Sequence, residues 1–238
     1  YRKFVLRLLL FFSFIFLFSS FSYANESRLK AGLEAMDRKH YATALRAFRG
    51  LAKQNNSQAQ NNIGYMYEQG WGVPQSYSDA MKWYRKAALQ SLAEGQYNLG
   101  ILYHNGYGVA KNRSEAKRWF EKAAKQNFKD AQFMMGHIYQ NGWGVKPNAL
   151  SALRWYKRAA KKGLVKAQFM TGYMLLSGDA GEEEPIKGYA WTEVSRINGY
   201  DGAQEVLDYA SLSMKDQQIR MAKALAKQCV ASKLERCP

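Results

Sequence analysis

The stretch YMYEQGWGVPQSYSDAMKWYRKAA, residues 65–88, decides the fold because the chain contains two further versions of it. ILYHNGYGVAKNRSEAKRWFEKAA begins 36 residues later, at position 101, and HIYQNGWGVKPNALSALRWYKRAA begins another 36 residues later, at position 137. A feature that recurs at a fixed period belongs to a structural building block before it belongs to an active site. The sequence therefore predicts a repeat protein.

Comparison of the repeats at this period shows positions that keep one residue type and positions with helical spacing. Three positions keep one residue type at a spacing of 36. They are occupied by Gly64, Gly100, Gly136 and Gly172; by Trp83, Trp119, Trp155 and Trp191; and by Gln60, Gln96, Gln132, Gln168 and Gln204. In the first half of a unit, Ala59, Ile63 and Tyr67 recur every four residues, as on one face of a helix. The second half has the spacing i, i+3, i+4, i+7, i+8 of another amphipathic helix, at Ala80, Trp83, Tyr84, Ala87 and Ala88. Each unit is thus predicted to be a helix pair.

Local signals mark the helix ends. Candidate N-caps of the second helices are Ser76, Asn112 and Asn148, and in the first two units an acid follows three residues later. Gly70 and Gly72, like the G-x-G of the next two repeats, predict a turn that ends the first helix at positive φ. A phosphate-binding loop would follow a strand and precede a helix. Three such sequences between helices favour a turn instead.

These residues resemble a known family. The pattern A-x3-[IL]-G-x2-Y-x2-G-x-G-V, followed by A-x2-W-[YF]-x-[KR]-A-A, is similar to the Sel1-like repeat, a longer-looped relative of the tetratricopeptide repeat, over residues 57 to about 200. The resemblance implies an all-α fold, a right-handed α-solenoid of antiparallel helix pairs. It also implies a non-catalytic scaffold for protein–protein interaction, without a cofactor.

The chain ends differ from the repeats. Residues 25–56 lack the loop insertion and resemble an ordinary tetratricopeptide helix pair that caps the N-terminus. Residues 57–200 hold four repeats, and the fourth, with GDAGEEEPIKG at its loop, is expected to be a distorted pair. Residues 201–238 are expected to form capping helices, the last with a buried stripe at Met221, Leu225 and Cys229.

The first 24 residues, YRKFVLRLLLFFSFIFLFSSFSYA, have a basic start, an apolar run and small residues at Ser22 and Ala24, as in a secretory signal cleaved after Ala24. An uncleaved anchor is the alternative, but the apolar run is shorter than the ~20 residues of a spanning helix. Cleavage would leave 32 basic and 19 acidic residues, a net charge of +13. We expect a periplasmic or secreted monomer, for which nucleic acid is not the expected partner of that charge.

Catalytic and metal-binding patterns are sparse. His40, His104 and His137 have no metal-ligand spacing. The sequence SEAK at Ser114–Lys117 matches S-x-x-K, but S-D-N and K-T-G are missing. Some secreted members of the resembled family have been described as binding or hydrolysing β-lactams, so an enzyme acting on β-lactams or the cell wall is an alternative. Those members carry paired cysteines in each repeat, whereas this chain has no Cys before 229.

The second helices carry many basic residues. They are Lys82, Arg85, Lys86, Arg118, Lys122, Lys125, Arg154, Lys157, Arg158, Lys161 and Lys162. The favoured interpretation is a solvated face whose long side chains cover the Trp edges. The alternative is an adaptor that contacts anionic envelope components through this face.

The two cysteines, Cys229 and Cys237, lie near the C-terminus of a chain predicted to enter an oxidising compartment. Eight residues apart on one helix, they would be separated by about 12 Å along the axis, beyond the reach of a disulfide. We expect the helix to end near residues 232–234 and the bond to pin the tail back.

The partner is predicted to be a protein or peptide segment bound in the concave groove lined by the first helices. Positions opposite the Ala59 stripe differ between repeats and are largely aromatic or amide, residue types that suit interfaces. They are Asn61, Tyr65, Glu68, Tyr97, Ile101, His104, Phe133, His137, Gln140, Phe169 and Tyr173, with Tyr97, Phe133, His137 and Tyr173 at the centre. The alternative is that Phe133 and Phe169 pack against neighbouring repeats.

Overall fold

A computed structural model describes residues 23–181 and 183–238 of the chain, and all regular secondary structure in these ranges is helical. Residues 1–22, most of the predicted signal segment, lie outside the described residues. None of the described helices combines the length and the apolar character that crossing a membrane requires.

The described helices follow one another in pairs, as the sequence predicts. Helix α1 covers residues 23–37. The others are α2 (Tyr41–Ala52), α3 (Ser57–Gln69), α4 (Tyr77–Leu89), α5 (Ala93–Asn105), α6 (Arg113–Lys125), α7 (Lys129–Asn141), α8 (Ala149–Lys161), α9 (Val165–Ser177), α10 (Pro185–Ile197), α11 (Ala203–Ser211) and α12 (Asp216–Ala231). The predicted N-caps are confirmed, since the side chains of Ser76, Asn112 and Asn148 accept hydrogen bonds from the backbone N–H three residues later.

The chain divides into two compact units, and the first comprises residues 23–95 with Tyr107–Val109. Its core is fully buried at Phe48, Leu51, Ile63 and Met66. Helices α1 and α2 approach closely at Gly32, where a Cβ would lie 2.5 Å from the Phe48 ring. The N-terminal pair therefore packs through a glycine and an aromatic ring.

Loop residues of the first unit pack one repeat against the previous one. Gly70 ends α3 in the left-handed conformation, at φ 71°, which confirms the predicted turn. At Gly108, a Cβ would lie 2.6 Å from the backbone carbonyl carbon of Tyr77. The Tyr107 ring stacks on Tyr77 with 4.8 Å between centroids. The loop after α5 thus rests on the start of α4, and only glycine permits this approach.

The second unit comprises Gln96–Gly106 with Ala110–Pro238. In it, successive helices from α6 to α10 pack against one another, and α10 also contacts α11 and α12. Tyr156 and Trp191 are fully buried in its core. Gly100 and Gly136 face the rings of Phe120 and Tyr156, which a Cβ would approach within 2.7 Å and 2.4 Å. The repeated glycine is therefore the site where each second helix presses an aromatic ring against the first.

The fourth repeat keeps the helix lengths of the others, since α9 and α10 have 13 residues each. Its packing differs instead. Thr192 takes the place of the aromatic ring, and a Cβ on Gly172 would lie 2.6 Å from the Thr192 nitrogen and 2.8 Å from the Gly188 oxygen. These two helices therefore pack backbone to backbone.

Repeated glutamines connect successive helices, as at Gln60 and Gln168. Gln168, fully buried, donates to the carbonyl of Ala160 in the preceding helix at 3.3 Å and accepts from Asn198 at 2.9 Å. In two other repeats a glutamine 30 positions later is the donor. Gln90 donates to Gln60, and Gln126 donates to Gln96. At Gln132 that donor position holds Lys162, and Gln132 Oε1 has no hydrogen-bond partner. One connection of the series is therefore incomplete.

Replacing Lys162 by glutamine is expected to supply the missing donor and raise the free energy of unfolding by about 1 kcal/mol. Lys161→Gln removes the same charge from the neighbouring position, which has no counterpart in the glutamine series, and serves as the control. Urea denaturation of both variants measures the difference. Equal effects of the two substitutions would assign any change to charge rather than to the hydrogen bond.

Two sequence predictions about burial are wrong. Asn61 is 2% exposed because the buried arc of α3 also includes its neighbours Gln60 and Gly64, and is wider than one stripe. In α12, Met221 is 50% exposed and the buried residues are Ala222, Ala226 and Cys229. Alanines face the core there because α12 packs directly on α10, whose residues 190–195 are all buried.

Three tryptophans of the second helices confirm the expectation that long basic side chains cover tryptophan surface. Trp83, Trp119 and Trp155 are half-buried, and a basic side chain covers each one. Lys86 Nζ, Lys122 Nζ and Arg158 Cζ lie 4.2, 4.3 and 4.7 Å from the respective ring centroids. Part of the basic face therefore serves to cover aromatic surface.

The C-terminal tail folds back where α12 ends. Ala231 is the last residue of α12, and Lys233 and Leu234 have positive φ values of 52° and 71°. The turn brings Cys229 and Cys237 into a disulfide with 4.5 Å between their Cα atoms. Beyond it, the Pro238 carbonyl accepts a hydrogen bond of 2.9 Å from Trp191 Nε1. The tail thereby provides the hydrogen-bond acceptor for the N–H group of the buried Trp191 indole.

Candidate partner-binding surface

The predicted groove residues differ widely in exposure. Tyr173 is 43% exposed, Asn61 is buried, and the other predicted positions are half-buried. Asn61, Tyr65 and Glu68 belong to the first unit, and the remaining positions, from Tyr97 to Tyr173, belong to the second. We use the name aromatic face for eight side chains of the second unit, each of them half-buried or exposed. They are Tyr97, Ile101, His104, Phe133, His137, Trp143, Phe169 and Tyr173.

Ring contacts join the middle of the aromatic face. Trp143, from the loop after α7, lies 4.7 Å from the His104 ring and 6.1 Å from the His137 ring. Phe133 meets His137 edge-on at 4.5 Å. These contacts hold planar side chains from α5, α7 and a loop in fixed orientations, which reduces the entropy that a partner would have to overcome.

A hydrogen-bond network fixes the tautomer of His137. The Tyr156 hydroxyl donates to Gln140 Oε1 at 2.6 Å and lies 3.1 Å from His137 Nδ1. Since the hydroxyl has one proton and the amide oxygen can only accept, His137 Nδ1 carries the hydrogen and donates to the Tyr156 oxygen. His137 Nε2 is then the acceptor nitrogen of the ring.

Both imidazoles lie where their charged form is disfavoured. Burial lowers the pKa of His104, and the nearby charges of Lys111 and Arg113 lower it further. Burial also lowers the pKa of His137, and His104 adds to the effect. The neutral form of both side chains therefore predominates at pH 7.

Two predicted partner-binding residues have internal roles. Glu68 Oε2 accepts a hydrogen bond of 2.5 Å from the buried Tyr84 hydroxyl, just as Gln140 accepts from Tyr156. Burial raises the pKa of both tyrosines, and for Tyr84 the Glu68 carboxylate adds to it. Glu68 and Gln140 therefore each provide the acceptor for a tyrosine hydroxyl of the second helix.

Part of the aromatic face packs against rings of its own repeat. Tyr97 packs against Phe120 and Phe128, with centroid distances of 5.7 and 5.3 Å. Phe133 lies 5.5 Å from the Tyr156 ring. Because each of these rings contributes to packing, the partner-accessible part of the face shifts towards Tyr173.

A cleft of about 810 Å³ adjoins Tyr173. Tyr173 and Phe169 of α9 line one side, and Glu205 and Tyr209 of α11 line the other. Tyr209 is 78% exposed, and Leu212 after it is 84% exposed. These α11 residues are not among the predicted partner-binding positions, although Glu205, Tyr209 and Leu212 stand 36 positions after Phe169, Tyr173 and Leu176. Extending the repeat by one unit would have found them.

The described residues contain no group of His, Cys, Asp and Glu side chains suited to hold a metal ion. In the S-x-x-K sequence, Lys117 Nζ lies 3.9 Å from Glu121 Oε2, so its charge faces a carboxylate. Ser114 is exposed at the start of α6.

The helix pairs and their loops match a family model described as Sel1 repeat at residues 57–92, 93–128, 129–164 and 165–194. The chain belongs to the Sel1 repeat family. Its fold is accordingly the α-solenoid of antiparallel helix pairs that the family resemblance implies.

Solved structures agree with this assignment to the Sel1 repeat family. A Sel1 repeat protein from Oxalobacter formigenes is 33% identical, with 84% of each chain covered and a TM-score of 0.72. The protein c5321, a protective antigen present in uropathogenic Escherichia coli strains and displaying an SLR fold, is 31% identical with a TM-score of 0.76.

The matches differ in the share of each chain that they cover. The match to c5321 covers 86% of this chain and 46% of that one, so this chain spans about half of its length. A Sel1 repeat protein from Klebsiella pneumoniae, at 21% identity and a TM-score of 0.54, with 79% and 93% covered, shows the fold alone. No curated protein sequence matches the chain significantly.

Proposed function

We propose that this Sel1 repeat protein is a non-catalytic adaptor of the cell envelope that holds a segment of a partner protein on its aromatic face. Sel1 repeat scaffolds generally mediate protein–protein interactions, and the described residues offer aromatic contact area rather than a metal or nucleophile constellation. The location in the envelope rests on the predicted signal segment, residues 1–24.

The observation that carries the proposal is the exposure of Tyr173. Its ring lies on α9 beside Phe169, at 6.3 Å between centroids, and remains 43% exposed. Aromatic side chains supply large contact area with little loss of conformational entropy and dominate the energetics of interfaces. A tyrosine held open next to other rings is therefore suited to contact a partner.

Replacing Tyr173 by alanine is expected to weaken partner binding about 30-fold, as the loss of a central aromatic contact of about 2 kcal/mol would do. The measurement is affinity capture from envelope extract with the chain from residue 25 as bait, at graded bait concentrations. Tyr107→Ala is the matched control, since Tyr107 is exposed to 44% but lies in a loop of the first unit. Undiminished capture by Tyr173→Ala, or equal loss in both variants, would contradict the proposal.

A further inference from the structure

The cleft beside Tyr173 differs in charge from the rest of this basic protein. Its walls come from α9, from residues 183 and 185 before and at the start of α10, and from α11 with the residues on either side of it. Glu183 and Glu205 are its charged residues, and none of the described residues that line it is Lys, Arg or His. The whole chain, in contrast, has 35 basic and 19 acidic residues. The cleft is thus an acidic site on a cationic molecule.

The walls of the cleft are aromatic and partly exposed. Phe169 stacks on Tyr200 at 4.5 Å, which fixes the floor, whereas Tyr173 and Tyr209 keep 43% and 78% of their surface exposed. Tyrosine faces attract Lys and Arg cations, and they also pack against apolar side chains. Open rings next to exposed carboxylates favour a ligand that combines positive charge with apolar surface.

We propose that this cleft binds a segment of the partner protein in which Lys or Arg residues alternate with large apolar residues. The carboxylates of Glu183 and Glu205 pair with the cations, and the rings of Tyr173 and Tyr209 pack on the apolar side chains. The inference rests on the proposed function, because it states the chemistry of the segment that the aromatic face would hold. Charge complementarity of this kind selects partners and speeds association.

Labelled peptides test the chemistry directly. The probes are GKFLKFG, its acidic counterpart GEFLEFG, and GKSGKSG, which has the cations without the apolar side chains. In fluorescence anisotropy titrations of the chain from residue 25, GKFLKFG is expected to bind at least about tenfold more tightly than the other two. Equal or tighter binding of GEFLEFG would overturn the proposal, because the cleft would then not select cations.

Reversing the charge of the cleft tests whether the peptide binds there. The double variant Glu183→Lys and Glu205→Lys is expected to bind GKFLKFG about tenfold less tightly and GEFLEFG more tightly. Both glutamates are exposed, so the fold should persist, and Tyr209→Ala provides a second, uncharged variant with the same expected loss. Glu26→Lys, an exposed position on α1, makes the same type of charge change outside the cleft and should leave binding unchanged. Unaltered GKFLKFG binding in the cleft variants would overturn the proposal.

The outcomes separate this inference from the proposed function. If GEFLEFG binds as tightly as GKFLKFG and Tyr173→Ala abolishes both, the aromatic face binds segments but the assigned chemistry is wrong. If no peptide binds and Tyr173→Ala leaves partner capture intact, both proposals are wrong. Sedimentation that shows a dimer lost in Tyr209→Ala would assign the cleft to a second copy of the chain and overturn the peptide assignment.

Discussion

Replacing Gly172 by alanine is expected to lower the free energy of unfolding by about 3 kcal/mol. A Cβ at this position would lie 2.2 Å from Thr192 Oγ1, 2.6 Å from the Thr192 nitrogen and 2.8 Å from the Gly188 oxygen. Two of these atoms belong to the backbone of α10, so the clash is relieved only by moving α9 and α10 apart. That movement would loosen the buried residues around Trp191.

Gly50→Ala is the matched control for this prediction. Gly50 lies within α2, and a Cβ there would meet no atom within 4 Å. Alanine at such a helical position is expected to raise stability by about 0.5–1 kcal/mol, because glycine loses more backbone entropy on folding. Urea denaturation of the two variants should therefore give opposite signs. A stabilising effect of Gly172→Ala would contradict the close backbone packing of the fourth repeat.

Replacing both Cys229 and Cys237 by serine is expected to lower the free energy of unfolding by about 2.5 kcal/mol, the loop-closure entropy for a bridge across eight residues. The bond also holds the tail whose terminal carbonyl accepts from Trp191 Nε1. Without it, the indole hydrogen bond should be lost, which tryptophan fluorescence can monitor alongside denaturation.

Reduction of the unmodified protein is the control for the serine variant, and it should produce a similar loss of stability. Two outcomes would contradict the expectation. One is the titration of two free thiols in the unfolded, unreduced protein. The other is a serine variant as stable as the disulfide-bonded chain, which would show that the tail contributes nothing to the core.

The repeat pattern predicted the parts of the fold that depend on local spacing. The period located the helix pairs, the N-caps Ser76, Asn112 and Asn148 located their starts, and the loop glycines located the turns. Repetition of glutamine at positions such as Gln168 was visible too, but its role was not. That role depends on donors 30 residues away and on a carbonyl of the preceding helix, which no local pattern encodes.

Burial was harder to predict because it depends on which neighbours a helix meets. Asn61 is buried since α3 is covered over a wide arc, and α12 turns Ala222 rather than Met221 to the core because it packs closely on α10. Both errors come from assigning a helix face from spacing alone. A one-position shift of the face changes which residues are buried.

The candidate site was predicted in part. Comparison of the repeats correctly indicated that the equivalent positions of His137 and Tyr173 are not fully buried. It could not show that Glu68 and Gln140 satisfy tyrosine hydroxyls from the second helices, since those contacts join residues 16 positions apart. It also stopped one unit too early and so omitted Tyr209, which occupies the same column in α11.

Site-specific photocrosslinking tests most directly whether the aromatic face binds the partner. Benzoylphenylalanine is placed at Tyr173 on α9 or, as the comparison, at Arg154, an exposed position on the basic helix α8. In cells producing the protein, we expect a covalent adduct of defined mass from position 173 and none from position 154. An adduct from position 154 with none from position 173 would contradict the account and place the partner on the basic helices.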